Sequence, residues 1–272
     1  MKVVLSIAGL DPSGGAGIIA DIKAFTAFDC FATSAITSVT FQNTCDVFGS
    51  ISQTADSVRQ QILPIIDDFE VSAVKTGMLP TVEIIEEIAR IISDNKLKNI
   101  VIDPVVRSTS GFDLIDNIAL KSLIEKLFPL SDIITPNITE AERISGIAIE
   151  TESDFAEAAK IMQNYGAKAV LIKGGHFFEV KSEKLKVKSE DKRAVDYLFI
   201  GNEKYAFEAE YIDTKSTHGT GCTLSSAIAA NLANGKTLLE AIEIAKKYIT
   251  LAIQMSPNLG KGNPSVNHAV KF

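Results

Sequence analysis

The residues of this chain best suited to chemistry fall in one short segment, Ser216-Thr217-His218-Gly219-Thr220-Gly221-Cys222-Thr223, followed by the helical run Leu224 to Asn234 and a stop signal at Gly235. Glycines at a helix start let the backbone approach an anion closely. The first-turn N–H groups carry partial positive charge, so the segment reads as a socket for a transferring phosphate. A glycine-rich start shaped by packing alone is the competing reading. Cys222 falls in that first turn, where the helix dipole can lower a thiol pKa and make the sulfur a proton acceptor. Position alone leaves a small buried cysteine at a crowded helix start as an equal alternative.

A second glycine cluster, Gly9-Leu10-Asp11-Pro12-Ser13-Gly14-Gly15-Ala16-Gly17, joins the apolar run Val3 to Ala8 to the amphipathic segment Ile18 to Phe28. It fails the Walker pattern. Gly15 to Ala20 meets a loose dinucleotide pattern, but the strand ends too early to feed a Rossmann turn. The loop does place Asp11 at a strand's carboxyl end, where open α/β sheets bind ligands. Three further polar clusters follow apolar runs: Asp103-Pro104, Pro136-Asn137-Ile138-Thr139-Glu140 and Lys173-Gly174-Gly175-His176. They point to one sheet edge. There Glu140, in Asn137-x-x-Glu140, could hold a hydrated Mg²⁺ and Lys173 could neutralise nucleotide phosphates. Taken singly, Thr139 and Glu140 could as well start a helix, and Lys173 could as well flank a strand.

Elements that would position these groups follow from periodicity. Val3 to Ala8, Ala73 to Lys75, Ile100 to Ile102, Ile133 to Thr135 and Ala169 to Ile172 read as buried strands alternating with helices, which predicts a parallel sheet. Thr139 with Glu142, and Thr237 with Glu240, have capping-box spacing. In the last helix Leu238, Ala241, Ala245, Ile249 and Ala252 form the packing face, with Glu243, Lys246 and Lys247 mostly opposite. Tyr197 to Ile200, Gly201-Asn202 and Glu203 to Phe207 read as a hairpin with a primed turn. The Lys- and Glu-dense stretch Glu179 to Arg193 reads as a solvated loop or exposed hairpin.

With 272 residues and 46% hydrophobic content, the chain can bury a large core, and we expect one domain over residues 1–272. A net charge of −7 argues against nucleic-acid and anionic-membrane partners. The first strand is too short and too little basic at its start for a secretory signal, and no apolar run reaches the ~18 residues a membrane span needs. Three widely spaced cysteines and three scattered histidines suggest neither a disulfide framework nor a protein-only metal cage. A cytoplasmic location is expected.

Six segments in order resemble the ribokinase-like superfamily, and within it the hydroxymethylpyrimidine and phosphomethylpyrimidine kinases of thiamine biosynthesis. They are Ala8 to Gly17, Gln42-Asn43-Thr44-Cys45, Lys75-Thr76-Gly77-Met78-Leu79, Ile134-Thr135-Pro136-Asn137, Lys173 to His176 and Thr217 to Thr223. The resemblance implies a three-layer α/β/α fold with a mostly parallel central sheet, a small β flap and the Gly201 hairpin lying toward the nucleotide. It implies ATP and Mg²⁺ as cofactors, with K⁺ left open, a small-molecule pyrimidine substrate and a homodimer. It implies that Gln42 reads the aminopyrimidine edge and that Gly9, Asp11 and Met78 line that pocket. It further implies that Gly219, Thr220 and Gly221 surround the transferring phosphate, that Asn137 and Glu140 meet Mg-ATP, and that Lys173 meets the phosphates.

Sugar kinases of the superfamily usually carry Asp where this chain has Cys222, so a catalytic Cys222 marks the pyrimidine branch. Two departures stand out: the long stretch Glu179 to Arg193, and Arg107 within Asp103 to Gly111, read as facing solvent. Pyridoxal kinase is the nearest rival function. A ligand-binding relative without catalysis would show eroded glycines or a missing Glu140, which this chain does not.

Overall fold

Alternation along the strands divides the core. The computed structural model describes residues 1–107, 111, 113–175 and 193–271, so His176 and nearly all of the stretch Glu179 to Arg193 lie outside the described residues. The expected apolar runs form β1 (Val3–Leu10), β4 (Val71–Thr76), β5 (Ile100–Ile102), β6 (Ile133–Ile134) and β7 (Ala169–Lys173). Leu5, Ile7, Val74, Ile100, Ile102 and Val170 face one cluster, while Val4, Ala73, Val101, Ile133 and Leu171 face another. Successive side chains point to opposite faces, so a sheet buried on both sides makes two cores.

Helices cover both faces. α2 (Ala55–Asp68), α3 (Val82–Asp94), α4 (Asn117–Leu127), α5 (Ile138–Ser145) and α6 (Glu152–Asn164) contribute to the first core. α1 (Gly17–Ala27), α7 (Thr220–Ala233) and α8 (Leu238–Gln254) contribute to the second. Small residues let α7 lie close: Ala227, Ala229 and Ala230 are fully buried, and its Ser225 and Ser226 hydroxyls bond to Asp103 and Asp21.

Two strands were not among the expected ones, β2 (Phe31–Gln42) and β3 (Val47–Ser52). β2 is rich in Ser and Thr and lacks an apolar run. Its buried hydroxyls are served by neighbouring backbone, with Thr37 donating to the Met78 carbonyl after β4, Thr40 to that of Leu10 at the end of β1 and Ser38 to that of Ile51 on β3. Among the described residues nine strands form one sheet in the order β3-β2-β1-β4-β5-β6-β7, then β8 (Arg193–Ile200) and β9 (Glu203–Glu210). Pairing is parallel from β2 through β7 and antiparallel at both edges.

Three local expectations need correction. The β8–β9 hairpin forms, with Gly201 at φ 56, but its turn does not lie toward the nucleotide. Lys173 pairs with Asp196 and Ala169 with Ile200, so the turn sits at the amino end of β7, and the far ends of β8 and β9 reach the carboxyl edge. The α5 capping box is Asn137 with Glu140, two residues earlier than Thr139 with Glu142; the Glu142 carboxylate instead accepts from the Ile149 N–H. Lys246 is buried rather than solvated, its Nζ 2.7 Å from Asp196 Oδ2. The Thr237–Glu240 capping box is present.

Candidate active site

The chain leaves β1 toward β2 and then returns to place β4 on the other side of β1, so the loops after β1 and β4 diverge above the carboxyl edge. Open α/β sheets bind ligands at such a switch point. A cavity of 1030 Å³ opens there. Every expected site residue lines it: Gly9, Asp11, Gln42, Met78, Asn137, Glu140, Lys173, Gly219, Thr220, Gly221 and Cys222. The volume suits a nucleotide and a small heterocycle together.

At one end lies the loop after β4. A Cβ on Gly9 would stand 3.1 Å from Met78 Sδ, so the glycine and the buried methionine form one apolar wall. Gln42 ends β2 at the mouth, and among the described residues its carboxamide has no side-chain hydrogen bond. The hairpin tip beyond it is pinned by the chain near the C-terminus, with the Lys261 and Gly262 N–H groups donating to Thr44 Oγ1. Asp11 lines the cavity but is committed locally. Its carboxylate accepts from the Ser13 and Ala16 N–H groups and lies 2.7 Å from His218 Nε2. Burial raises the Asp11 carboxyl pKa, yet the bonds to His218 and Ser13 outweigh it and hold the group below the usual range. Asp11 thereby ties the first glycine loop to the second.

That tie is tight. Gly219 begins α7 at φ 79, and a Cβ there would overlap the Gly15 carbonyl oxygen at 1.8 Å. α7 has no side-chain cap and no acidic residue in its first turn, which leaves an anion-receptive helix start facing the cavity. Gly221 gives room for Lys173, whose Nζ lies 3.0 Å from where a Cβ would be.

Lys173 bonds Asp103 Oδ1 at 2.9 Å, and Thr135 and Ser225 complete the Asp103 shell. Burial opposes ionisation of Asp103, but Lys173 and Lys75 win and lower its pKa. Glu140 differs: burial raises its pKa, with Lys173 only partly compensating. Both its oxygens accept backbone N–H groups, from Asn137 at 2.8 Å and Val106 at 3.2 Å. Among the described residues no three acidic, Cys or His groups are placed to hold a metal ion. Two cavity carboxylates, Asp103 and Glu140, suit an ion that arrives hydrated on a nucleotide rather than one held in a protein cage.

Cys222 meets the cavity, but its thiol is pushed up to about 11, the reverse of what its helix position suggests. Burial is the main cause. Lys75 pulls the other way, while Asp103 and Asp21 add to the rise. Arg107 sits half-exposed at the rim with Nε 2.9 Å from Asp113 Oδ1, in keeping with a solvent-facing side chain. Asp103, Lys75 and His218 had no role assigned from sequence. Asp103-Pro104 and the lysine of Lys75-Thr76-Gly77 were visible as polar residues ending apolar runs, whereas nothing in the sequence paired His218 with Asp11.

Comparisons with known proteins bear on the family and the fold. Residues 11–267 match the phosphomethylpyrimidine kinase family model. A hydroxymethylpyrimidine/phosphomethylpyrimidine kinase of Haemophilus influenzae is 40% identical over 98% of this chain and 97% of its own length. An ADP complex of Bacillus subtilis pyridoxal kinase superposes with a TM-score of 0.86 at 40% identity, covering 99% of this chain and 98% of that one. A phosphomethylpyrimidine kinase from Clostridium difficile superposes with a TM-score of 0.78, also at 40% identity, over 93% of this chain and 100% of its own. With the fold, the cavity and these relatives in agreement, the chain belongs to the phosphomethylpyrimidine kinase family.

Proposed function

We propose that this protein, folded as one domain, transfers the γ-phosphoryl group of ATP to 4-amino-5-hydroxymethyl-2-methylpyrimidine, and then a second one to its monophosphate. The observation that carries the reading is the convergence on one cavity of the Gln42 carboxamide, which has no side-chain hydrogen bond among the described residues, an apolar wall, Gly9 and Met78, and an uncapped helix start holding Cys222. A side-chain amide can donate to a ring nitrogen and accept from an exocyclic amine, the pattern of an aminopyrimidine edge. The α7 start and Lys173 receive the transferring phosphate, and Asn137 and Glu140 face the nucleotide side. Mg²⁺ bound with ATP would be met by Glu140 and would neutralise phosphate charge. A K⁺ requirement stays outside the proposal.

Cys222 takes the proton of the alcohol through its thiolate, a small fraction near neutral pH because burial holds the thiol at about 11, but a strong base when formed. The monophosphate acceptor is already anionic near neutral pH, its second pKa being about 6. It therefore needs no base. Phosphoryl transfer depends mainly on positioning and charge stabilisation, so Gly219, Thr220 and Gly221 serve both steps and Cys222 mainly the first.

A homodimer is part of the proposal. Phe41, Phe48 and Ile51 are exposed on the β2–β3 hairpin at the sheet edge, and a second copy would cover them. We also place the protein in the cytoplasm. Its cysteines are free, and among the described residues no helix is long and apolar enough to cross a membrane. Pyridoxal is the second reading, favoured by the likeness to the Bacillus subtilis pyridoxal kinase.

A coupled ADP-release assay with Mg-ATP tests the reading, offering hydroxymethylpyrimidine, its monophosphate, pyridoxal and ribose in parallel. Turnover of both pyrimidines is expected, and turnover of pyridoxal alone would reassign the pocket. In the same assay Cys222→Ala should lose ~10²-fold or more with the alcohol and much less with the monophosphate. A loss below tenfold with the alcohol would end the base role.

A further inference from the structure

One buried cluster beneath the cavity has no part in the mechanism above. Lys75 on β4 and Asp21 on α1 form an ion pair with both side chains fully buried, Nζ lying 2.8 and 2.9 Å from the two carboxylate oxygens. Ser6 and Ser226 donate to the same carboxylate at 2.5 and 2.7 Å. A buried ion pair is often no more stabilising than apolar side chains of the same volume, so stability is a weak reason for this one.

Its location supplies a better reason. Ser226 lies one helical turn after Cys222 on α7, which sets the thiol above the pair on the same helix face. The Lys75 ammonium lies 3.1 Å from where a Cβ on the cavity residue Gly77 would stand. The charged groups acting on Cys222 come from four elements: Lys75 on β4, Asp21 on α1, Asp103 after β5 and Lys173 on β7. The Gly17 N–H at the start of α1 also favours the anionic sulfur. Of the two partners it is the Lys75 ammonium, not the Asp21 carboxylate, that comes close to the cavity residue Gly77, so the pair presents its positive end, and Lys75 favours the anionic sulfur where Asp103 and Asp21 oppose it.

We propose that Lys75, held in place by Asp21, is a positioning residue that stabilises the thiolate of Cys222 from below the cavity floor. The proposal rests on the reading of Cys222 as the base. In the alcohol reaction the O–H bond breaks and an S–H bond forms on the thiolate. The oxygen's electron pair bonds to the γ-phosphorus, and the bond from that phosphorus to ADP breaks, ADP leaving with its electrons. The thiol proton returns to water after release. Lys75 touches no reacting atom, and it sets how often the sulfur is ready.

The test compares the parent with the double variant Lys75→Met/Asp21→Asn, which leaves no unpaired buried charge at the site. Lys75→Met alone would strand Asp21. Both proteins carry Cys45→Ser, because Cys45 is exposed and would react first. Alkylation of Cys222 by iodoacetamide, read by peptide mapping at fixed pH near neutrality, follows the thiolate fraction. The expected result is ~10-fold slower labelling in the double variant. The ratio of kcat on the alcohol to kcat on the monophosphate should fall by at least about tenfold, a ratio that does not depend on the folded fraction. An unchanged labelling rate overturns the proposal whatever turnover does. Slower labelling with an unchanged ratio keeps the Lys75–Cys222 coupling and removes the base role of Cys222 instead.

Discussion

Helix starts away from the cavity and helix starts lining it are built by different rules. Thr54, Thr81, Asp116 and Thr237 begin α2, α3, α4 and α8, and each accepts a hydrogen bond from an N–H in its first turn. α1 and α7 begin on Ala16 and Gly219 with no side-chain cap within the helix and no acidic residue in the first turn. A cap satisfies an N–H by occupying it, and is worth ~1 kcal/mol. A bare start forgoes that and keeps the N–H groups for an anion. α5 lies between the two kinds: its Asn137–Glu140 box caps the helix while both residues line the cavity.

The sharpest way to break this contrast is to make the same substitution on both sides of it. At Gly219 (φ 79) an added methyl collides with the Gly15 carbonyl and drives the two glycine loops apart. Gly219→Ala should therefore lower kcat/KM by ~10²-fold or more, the scale of a displacement of about an ångström at a reacting centre. Gly235, just beyond the other end of α7, has a similar φ of 83 but nothing within 4 Å of an added Cβ. Gly235→Ala should cost ~1–2 kcal/mol in urea unfolding and leave kcat/KM within about twofold. Equal activity losses would mean that backbone strain, not the socket, sets the Gly219 effect.

What the sequence disclosed follows the same division. Buried strands such as Ile100 to Ile102 are apolar on both faces and announce themselves. The glycine clusters were readable because their composition has a backbone reason. β2 escaped because its inward positions are Thr and Ser, whose partners are carbonyls of Leu10 and Met78, distant in sequence and unreadable until the loops are placed. Lys246 looked solvated because its partner, Asp196, belongs to a strand fifty residues earlier. Of the two readings that position alone leaves open for Cys222, a lowered thiol and a buried one, packing decides for a similar reason: a dipole is local to the helix, whereas burial and the carboxylates of Asp103 and Asp21 are set by tertiary structure.

A smaller effect tests what braces the bare start of α7 from outside. Thr223 Oγ1 donates to the Gly219 carbonyl at 2.8 Å and lies 3.0 Å from His268 Nε2, which must then carry the proton and donate. Burial, helped by Lys23 and His218, pushes His268 down to about 4. Its folded pKa is below the unfolded value near 6.5, so between those values only the unfolded chain takes up the proton. Stability contributed by His268 is thus full above pH 6.5 and is lost as pH falls toward 4. From pH 7 to pH 5 the parent should lose about 2 kcal/mol more than His268→Gln in urea titrations. Parallel losses would mean that His268 is not a neutral brace.

The smallest expected effect lies on the capped side. Thr237 accepts from the Glu240 N–H while the Glu240 carboxylate accepts from the Thr237 N–H and hydroxyl, all exposed and outside the cavity. These bonds also hold the Glu240 carboxyl below its ordinary range. Thr237→Ala should cost ~1 kcal/mol and leave kcat on both pyrimidines unchanged. The packing face of α8 runs on from this cap through Ala241 and Ala245 to Ile249, which lines the cavity. A fall in kcat together with the unfolding midpoint would mean that the helix transmits its start to the site, and that the two kinds of helix start are coupled rather than separate.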